Sequence, residues 1–161
     1  MEAVKMFFFL VGVLLTFSKC AESSTPDDAV ADLDNAAIHT VFSHSVRSIS
    51  DQCLQCICNV ESNCRPVGCV MDVGSLSCGY YQIKLPYYLD CGSPGRDWQT
   101  CAKDMSCATT CVRKYMARYG PRSGCLDTCE TYARIHNGGP QGCKNDNTRE
   151  YWRKVQRCLS G

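Results

Sequence analysis

The sequence has no apolar stretch long enough for a comfortable bilayer span. Its longest apolar run, residues 6–17 (MFFFLVGVLLTF), is shorter than the roughly 20 residues of a typical transmembrane helix. Lys5 precedes the run, and the small residues Ser18 and Cys20 follow it. This arrangement is typical of a cleaved signal peptide, which we place at residues 1–20. We therefore expect a secreted, extracellular protein with no membrane-embedded part.

The chain also lacks an excess of charge of one sign, since 17 Lys and Arg stand against 16 Asp and Glu. Domains that bind nucleic acid are typically strongly basic and carry a recognisable motif, and neither feature is present. Cys53, Cys56 and Cys58 have a spacing that zinc sites use, but no second CxxC and no paired histidines complete the set. We therefore expect neither a nucleic-acid partner nor a bound metal.

The sequence is rich in cysteine, with 15 in 161 residues. This density is typical of exported domains in which disulfides supplement a small core. If the signal peptide ends after Cys20, 14 cysteines remain for about seven bridges, whose pairing the spacing leaves open. Cys56 and Cys58 are too close in sequence to bond to each other without strain, so we expect each to reach a distant segment. The expected bridging residues are Cys53, Cys56, Cys58, Cys64, Cys69, Cys78, Cys91, Cys101, Cys107, Cys111, Cys125, Cys129, Cys143 and Cys158.

Charge and cysteine divide the exported chain near Cys53. The segment 21–52 is acidic and has no cysteine, whereas the chain from Cys53 onward is basic and holds the 14 bridging cysteines. We interpret residues 21–50 as an acidic N-terminal extension or propeptide and residues 51–161 as one folded domain. A basic domain attracts anionic polymers such as bacterial wall material, although the charge also serves solubility alone.

The apolar patterns predict an α+β fold, with several short helices around a small antiparallel hairpin. Residues 51–62 form a helix, and residues 70–84 form a strand, a turn at 74–77 and a second strand. Further helices are predicted over 97–119, as one helix or two with Asp97 as cap, over 126–137 and over 147–158.

Two carboxyl groups lie in the stretch with the highest density of cysteine. The predicted elements put Glu61 in the last turn of the first helix and Asp72 on the hairpin. Glycoside hydrolysis uses such a pair, one carboxyl protonated to protonate the leaving oxygen and one ionised to stabilise or attack the sugar cation. Spacing alone favours the interpretation that these are two ordinary surface carboxylates.

Three segments carry a more specific signal: CLQCICNVESNC, then GCVMDVGSLSCGYYQIKLPYYLDCG, then YARIHNGGPQGC. Together they resemble the invertebrate-type lysozymes, including the leech destabilase branch, over about residues 51–158. The resemblance implies that Glu61 is the proton donor and Asp72 the nucleophile or stabiliser. It also implies a small lysozyme-like domain, a monomer or weak homodimer, that needs no cofactor. Its expected substrate is the β-1,4 bond between N-acetylmuramic acid and N-acetylglucosamine in bacterial peptidoglycan, or chito-oligosaccharides.

Further residues match the cleft of that family. The resemblance suggests a substrate-binding role for Ser75, Lys84, Tyr87, Tyr88, Asp90, Tyr115 and His136. An aromatic face at position 88 would stack on a sugar ring. The alternative is that Tyr87 and Tyr88 pack in the core and that His136 is structural.

Some members of the family also hydrolyse the isopeptide bond between a glutamine-derived carboxyl and a lysine ε-amine. That reaction needs an activated nucleophile, for which Ser75 or Ser77 with His136 or Lys84 as base are the available residues. The alternative is that these serines stabilise the turn and hydrogen-bond the Asp72 carboxylate. A third hypothesis is a non-catalytic, disulfide-rich protein that binds bacterial walls.

Overall fold

The computed structural model describes residues 48–161, which form an α+β domain, as the sequence predicts. The proposed signal peptide lies outside these residues, as does all but the end of the acidic extension. The helices are α1 (Asp51–Ser62), α2 (Leu85–Asp90), α3 (Trp98–Lys103), α4 (Met105–Tyr119), α5 (Cys129–Gly138) and α6 (Arg149–Ser160). The strands are β1 (Val70–Asp72), β2 (Ser75–Cys78) and β3 (Ile83–Lys84), and two 3-10 turns, Gly142–Lys144 and Asp146–Thr148, precede α6.

Helix α1 has the bounds that its apolar pattern predicts. Ser50 caps its N-terminus, since the Ser50 hydroxyl accepts a hydrogen bond from the Cys53 amide at 3.2 Å. Leu54 and Ile57 are buried, which fixes the inward face of the helix. Glu61 therefore lies in the last turn of a helix that the core holds in place.

The sheet differs from the predicted hairpin, and the predicted turn at 74–77 is wrong. The chain reverses at Val73 and Gly74, which both have positive φ (45° and 76°), as a tight two-residue turn requires. Strand β2 therefore begins at Ser75, which pairs with Asp72 across the turn. A short third strand, β3, pairs with β2 so that Lys84 lies opposite Ser77.

The region predicted as one helix or two over 97–119 forms two helices, α3 and α4. Asp97 caps α3 as predicted, with its carboxylate accepting from the Thr100 amide. Asp104 separates the two helices because its backbone is extended and its carboxylate caps α4 through the Cys107 amide at 2.7 Å. Helix α2, which the sequence analysis did not predict, begins with Pro86 in its first turn.

The last two helices exist as predicted, but their ends are displaced. Helix α5 begins at Cys129 rather than at 126, because the Thr128 side chain accepts from the Thr131 amide and sets the start of the helix. Helix α6 runs two residues later than predicted, after the 3-10 turn Asp146–Thr148.

All 14 cysteines in residues 48–161 are paired, as expected. The bridges are Cys53–Cys129, Cys56–Cys158, Cys58–Cys64, Cys69–Cys78, Cys91–Cys111, Cys101–Cys107 and Cys125–Cys143. Cys56 reaches a distant segment, as predicted. The same prediction for Cys58 is wrong, since the chain turns back through Asn63 and Cys64 at positive φ (53° and 49°) and brings Cys64 to it.

Two of the bridges join α1 to the C-terminal half of the domain. Cys53 connects it to the start of α5 and Cys56 connects it to the end of α6. Val155 of α6 and Ile135 of α5 are fully buried in the same core. The three helices that contribute to the site described below are therefore held together covalently and by packing.

Across residues 48–161, no helix combines the length and the apolar character that a membrane crossing demands.

Candidate active site

A cleft of about 260 Å³ opens between the end of α1, the sheet, α2 and the end of α5. Both carboxyl groups singled out in the sequence lie in its wall. The lining residues are Glu61, Asp72, Ser77, Gln82, Lys84, Pro86, Tyr87, Tyr115, His136, Asn137 and Gly139.

The Glu61 carboxyl is largely enclosed, with 17 % of its side chain exposed. Its Oε1 accepts a hydrogen bond from the Tyr151 hydroxyl at 2.7 Å. His136 Nε2 lies 3.4 Å from the same oxygen. Thus α5 and α6 each place one polar group against the carboxyl that α1 carries.

His136 is buried, and its contacts fix which ring nitrogen bears a proton. Its Nε2 lies 3.0 Å from the carbonyl oxygen of Tyr81, which can only accept, so Nε2 carries a hydrogen. Its Nδ1 lies 3.2 Å from the Tyr87 hydroxyl, which donates to it when the imidazole is neutral. His136 therefore links the sheet region and α2 to the Glu61 carboxyl.

The Asp72 carboxyl has different surroundings, with 54 % of its side chain exposed. Lys84 Nζ lies 3.0 Å from its Oδ2 and also donates to the Asp72 carbonyl oxygen at 3.0 Å. The Ser77 hydroxyl donates to the same Oδ2 at 3.5 Å. An ammonium group and a hydroxyl are suitable partners for a carboxylate oxygen. Both partners are near Asp72 because Ser77 pairs with Lys84 across β2 and β3.

Aromatic rings form one wall of the cleft. Tyr87 and Tyr115 stack with their ring centroids 3.6 Å apart and their planes 11° apart. Burial raises the pKa of Tyr87 well above the ordinary value of 10.0, and the nearby Tyr115 and Glu61 raise it further. Burial also raises the pKa of Tyr151, and the negative charge of Glu61 raises it further. Both phenols are therefore protonated hydrogen-bond donors near neutral pH.

Three residues with a predicted role in substrate binding do not line the cleft. Tyr88 is buried, and its hydroxyl donates to the Pro94 carbonyl at 3.0 Å. Asp90 faces Arg118, at 3.8 Å between the charged groups. The Ser75 hydroxyl donates to the Asp72 backbone carbonyl at 3.3 Å. Within α2 it is Tyr87 that lies in the cleft, whereas its neighbour Tyr88 lies about 100° further around the helix and packs in the core.

The sequence analysis did not single out every residue of the site. Tyr151 contacts Glu61 although 90 residues separate them, and no local pattern marks it. Gln82, Pro86, Asn137 and Gly139 also line the cleft. All four lie within the segments that carry the family resemblance, and this was the one available signal for them.

No cluster of three or more histidine, cysteine, aspartate or glutamate residues within the described part of the chain could hold a metal ion. The acidic residues of the cleft are instead engaged with hydroxyl, imidazole and ammonium groups. The chemistry available in the cleft is therefore proton transfer and charge stabilisation by side chains.

Comparisons with known proteins agree with this geometry. The family named Destabilase matches residues 50–158. "Lysozyme 1" of Crassostrea virginica is 64 % identical over 114 residues, which cover 71 % of this chain and 62 % of that protein. The "Invertebrate-type lysozyme" of Ruditapes philippinarum is 53 % identical over 68 % of this chain and 81 % of its own.

A solved structure, that of an inhibitor-bound lysozyme from Meretrix lusoria, is similar with a TM-score of 0.67 and 55 % identity, covering 68 % of this chain and 89 % of that one. The chain therefore belongs to the invertebrate-type lysozymes, the Destabilase family.

Proposed function

We propose that this lysozyme cleaves the β-1,4 bond between N-acetylmuramic acid and N-acetylglucosamine in bacterial peptidoglycan, with Glu61 as proton donor and Asp72 as its carboxylate partner. One observation carries the proposal. The two carboxyls line one cleft in contrasting surroundings, Glu61 enclosed by a hydroxyl and an imidazole, and Asp72 exposed beside an ammonium group. Glycosidic cleavage requires such a division of roles between two carboxyls.

Glu61 protonates the glycosidic oxygen in this mechanism. The Glu61 proton moves to the bridging oxygen as the bond from that oxygen to the anomeric carbon breaks, and the electron pair of that bond leaves with the alcohol. Because the cleft wall encloses the carboxyl, the proton transfer takes place away from bulk water.

Asp72 acts on the positive charge that develops at the anomeric carbon. Its exposure of 54 % leaves the carboxylate open to a sugar ring in the cleft. Lys84 and Ser77 hold Oδ2 and so orient the group before substrate arrives. The carboxylate then stabilises the sugar cation or attacks it to form a covalent intermediate.

The remaining lining residues suit a carbohydrate chain. The stacked rings of Tyr87 and Tyr115 provide an apolar wall, and Gln82, Asn137 and Lys84 provide polar groups along it. Cofactors have no part in this mechanism. We also infer that the protein acts outside the cell, because seven disulfides persist in oxidising surroundings and would be reduced in the cytosol.

The contacts give less support to isopeptide hydrolysis. The hydroxyls of Ser75 and Ser77 both donate to Asp72, and Lys84 is engaged in an ion pair with the same residue. Among residues 48–161, neither serine has His136 or Lys84 as a hydrogen-bond partner. These contacts favour the interpretation that the serines support the Asp72 side chain and its turn.

Clearing of Gram-positive cell-wall suspensions tests the proposed function. The wild type should clear them, and Glu61→Gln should lower the rate at least about 100-fold because the amide cannot donate the proton. Asp72→Asn should cause a loss of similar order. Glu150→Gln is the matched control, since Glu150 is an exposed carboxylate paired with Arg153 on the surface of α6.

Two results would contradict the proposal. If Glu61→Gln cleared walls as fast as the Glu150→Gln control, Glu61 would have no part in the mechanism. Wild-type protein that sediments with walls without clearing them would favour the non-catalytic binding protein instead.

A further inference from the structure

We propose that Tyr151 is a positioning residue that, together with His136, holds the Glu61 carboxyl by Oε1 so that the catalytic proton resides on Oε2. The inference rests on the function proposed above and assigns its proton to one atom. Tyr151 lies on α6, outside every segment that the sequence analysis connected with the site.

The geometry of the Glu61 contacts is asymmetric. The Tyr151 hydroxyl lies 2.7 Å from Oε1, and His136 Nε2 lies 3.4 Å from the same oxygen. The other oxygen, Oε2, has no hydrogen-bond partner within residues 48–161, and it is not a buried unsatisfied atom. Oε1 is thus held by the protein, and Oε2 is left accessible.

Hydrogen-bond chemistry then decides which oxygen bears the proton. A neutral carboxyl group has one carbonyl oxygen that accepts and one hydroxyl oxygen that donates. Burial raises the pKa of Tyr151, so its phenol carries a hydrogen and needs an acceptor. His136 Nε2 also carries a hydrogen, because its other partner is the Tyr81 carbonyl. Oε1 therefore faces one donor, the Tyr151 hydroxyl, and one protonated ring nitrogen that cannot accept a hydrogen bond, so the proton of the carboxyl is left to Oε2.

The arrangement acts mainly in the transition state. As the Oε2–H bond breaks and the proton bonds to the glycosidic oxygen, negative charge spreads onto Oε1. A hydrogen bond from Tyr151 to that charged oxygen is stronger than one to a neutral carbonyl. The contact therefore stabilises the transition state more than the bound ground state, which predicts an effect on kcat and little on KM.

The fold holds Tyr151 in this position. Helix α6 is joined to α1 by Cys56–Cys158, with 5.5 Å between the Cα atoms, and Val155 of α6 is buried in the core. Cys158 lies two turns beyond Tyr151, on the same side of the helix. The bridge therefore sets the register between the helix that carries the carboxyl and the helix that carries the phenol.

Steady-state kinetics on a chito-oligosaccharide test the inference with Tyr151→Phe, which removes the hydroxyl and keeps the ring. We expect kcat to fall about 10-fold or more, the size expected for a hydrogen bond to a charged group, with KM within about 2-fold of the wild type. Tyr132→Phe is the matched control, because the hydroxyl of the buried Tyr132 likewise donates to a carboxylate, that of Asp127, away from the cleft. It should leave both constants unchanged.

The outcomes separate this inference from the proposed function. An unchanged kcat in Tyr151→Phe, with Glu61→Gln inactive, overturns the positioning role and leaves the proposed function standing. A parallel fall in kcat and in oligosaccharide affinity assigns Tyr151 to the structure of the cleft and likewise overturns it. An active Glu61→Gln removes the proposed function and the inference with it.

Discussion

Glu61 and Asp72 show how side-chain surroundings divide two chemically similar groups. Glu61 meets a phenol and an imidazole inside the cleft wall, whereas Asp72 meets an ammonium group at its rim. The segments around the two acids allowed both to be identified from the sequence through the family resemblance. The sequence did not reveal Tyr151, because a contact across 90 residues depends on how α6 packs against α1.

At this scale the tyrosines of the site predict a dependence on pH. Burial raises the pKa of Tyr87, Tyr115 and Tyr151 above the ordinary value of 10.0. Above pH 10 the unfolded chain therefore loses protons that the folded protein keeps, and the free energy of unfolding falls as the pH rises. Below pH 10 these groups contribute no pH dependence. Urea unfolding across this range measures the free energy of unfolding. Absorbance at 295 nm measures how many tyrosines have ionised.

The native protein should show a group of tyrosines that ionise only as it unfolds, and Tyr151→Phe should reduce that group by one. Ionisation of every tyrosine near pH 10 in the native state would contradict this expectation. A return to the starting absorbance on neutralisation is the control for reversibility.

At the scale of elements, helices were more predictable than the sheet. Helix α1 was found with its true bounds because its apolar positions lie on one face, and the structure shows that the Ser50 side chain caps its start. The hairpin was placed out of register because the glycine-bearing segment 74–77 suggested the turn, whereas the positive φ values of Val73 and Gly74 put the turn at those two residues. A β-branched residue is uncommon at positive φ, so no sequence rule pointed to Val73.

Helix α2 was missed for a related reason. Its six residues, LPYYLD, are too few for a helical period to emerge, and it begins with a proline after the extended Lys84. The consequence for the site was an incorrect emphasis on Tyr88, whose side chain packs in the core while Tyr87 faces the cleft.

Packing between the sheet and α3 leads to a prediction at this scale. Gly79 has φ of +73°, and a Cβ atom there would lie 1.8 Å from the Ala102 carbonyl oxygen. Gly79→Ala should therefore lower the free energy of unfolding by about 3 kcal/mol or more, from backbone strain and overpacking together. Gly92→Ala is the matched control, since Gly92 has φ of +84° with open space around it. This control should lower the free energy of unfolding by only about 1 kcal/mol. Urea unfolding measures the change in both variants. Equal losses in the two variants would contradict the close approach of the two elements.

At the scale of the whole domain, disulfides join the helices that contribute Glu61, His136 and Tyr151 to the cleft. Cys56–Cys158 spans 102 residues and joins α1 to α6, whereas Cys101–Cys107 spans 6 and joins the neighbours α3 and α4. The cysteine count predicted the number of bridges, but the pairing depends on the three-dimensional path. The local turn at Asn63 that pairs Cys58 with Cys64 is an example.

Removal of these two bridges should have unequal effects. Replacing Cys56 and Cys158 with alanine should lower the free energy of unfolding by about 4 kcal/mol, against about 2 kcal/mol for Cys101 and Cys107, because the longer loop gains more entropy on unfolding. The first variant should also lose kcat, since the register between Tyr151 and Glu61 is relaxed. Chemical denaturation measures the free energy of unfolding of each variant, and steady-state kinetics measure its kcat. Equal losses of stability, with kcat unchanged in each, would contradict this role for the bridge.

In the proposed mechanism, Glu61 and Asp72 act on a glycosidic bond of peptidoglycan. Analysis of the new chain ends formed during digestion of purified peptidoglycan distinguishes this reaction from cleavage of peptide bonds. We expect new reducing N-acetylmuramic acid ends with the wild type and none with Glu61→Gln. New amino groups without reducing ends, or reducing ends formed equally by Glu61→Gln, would contradict it.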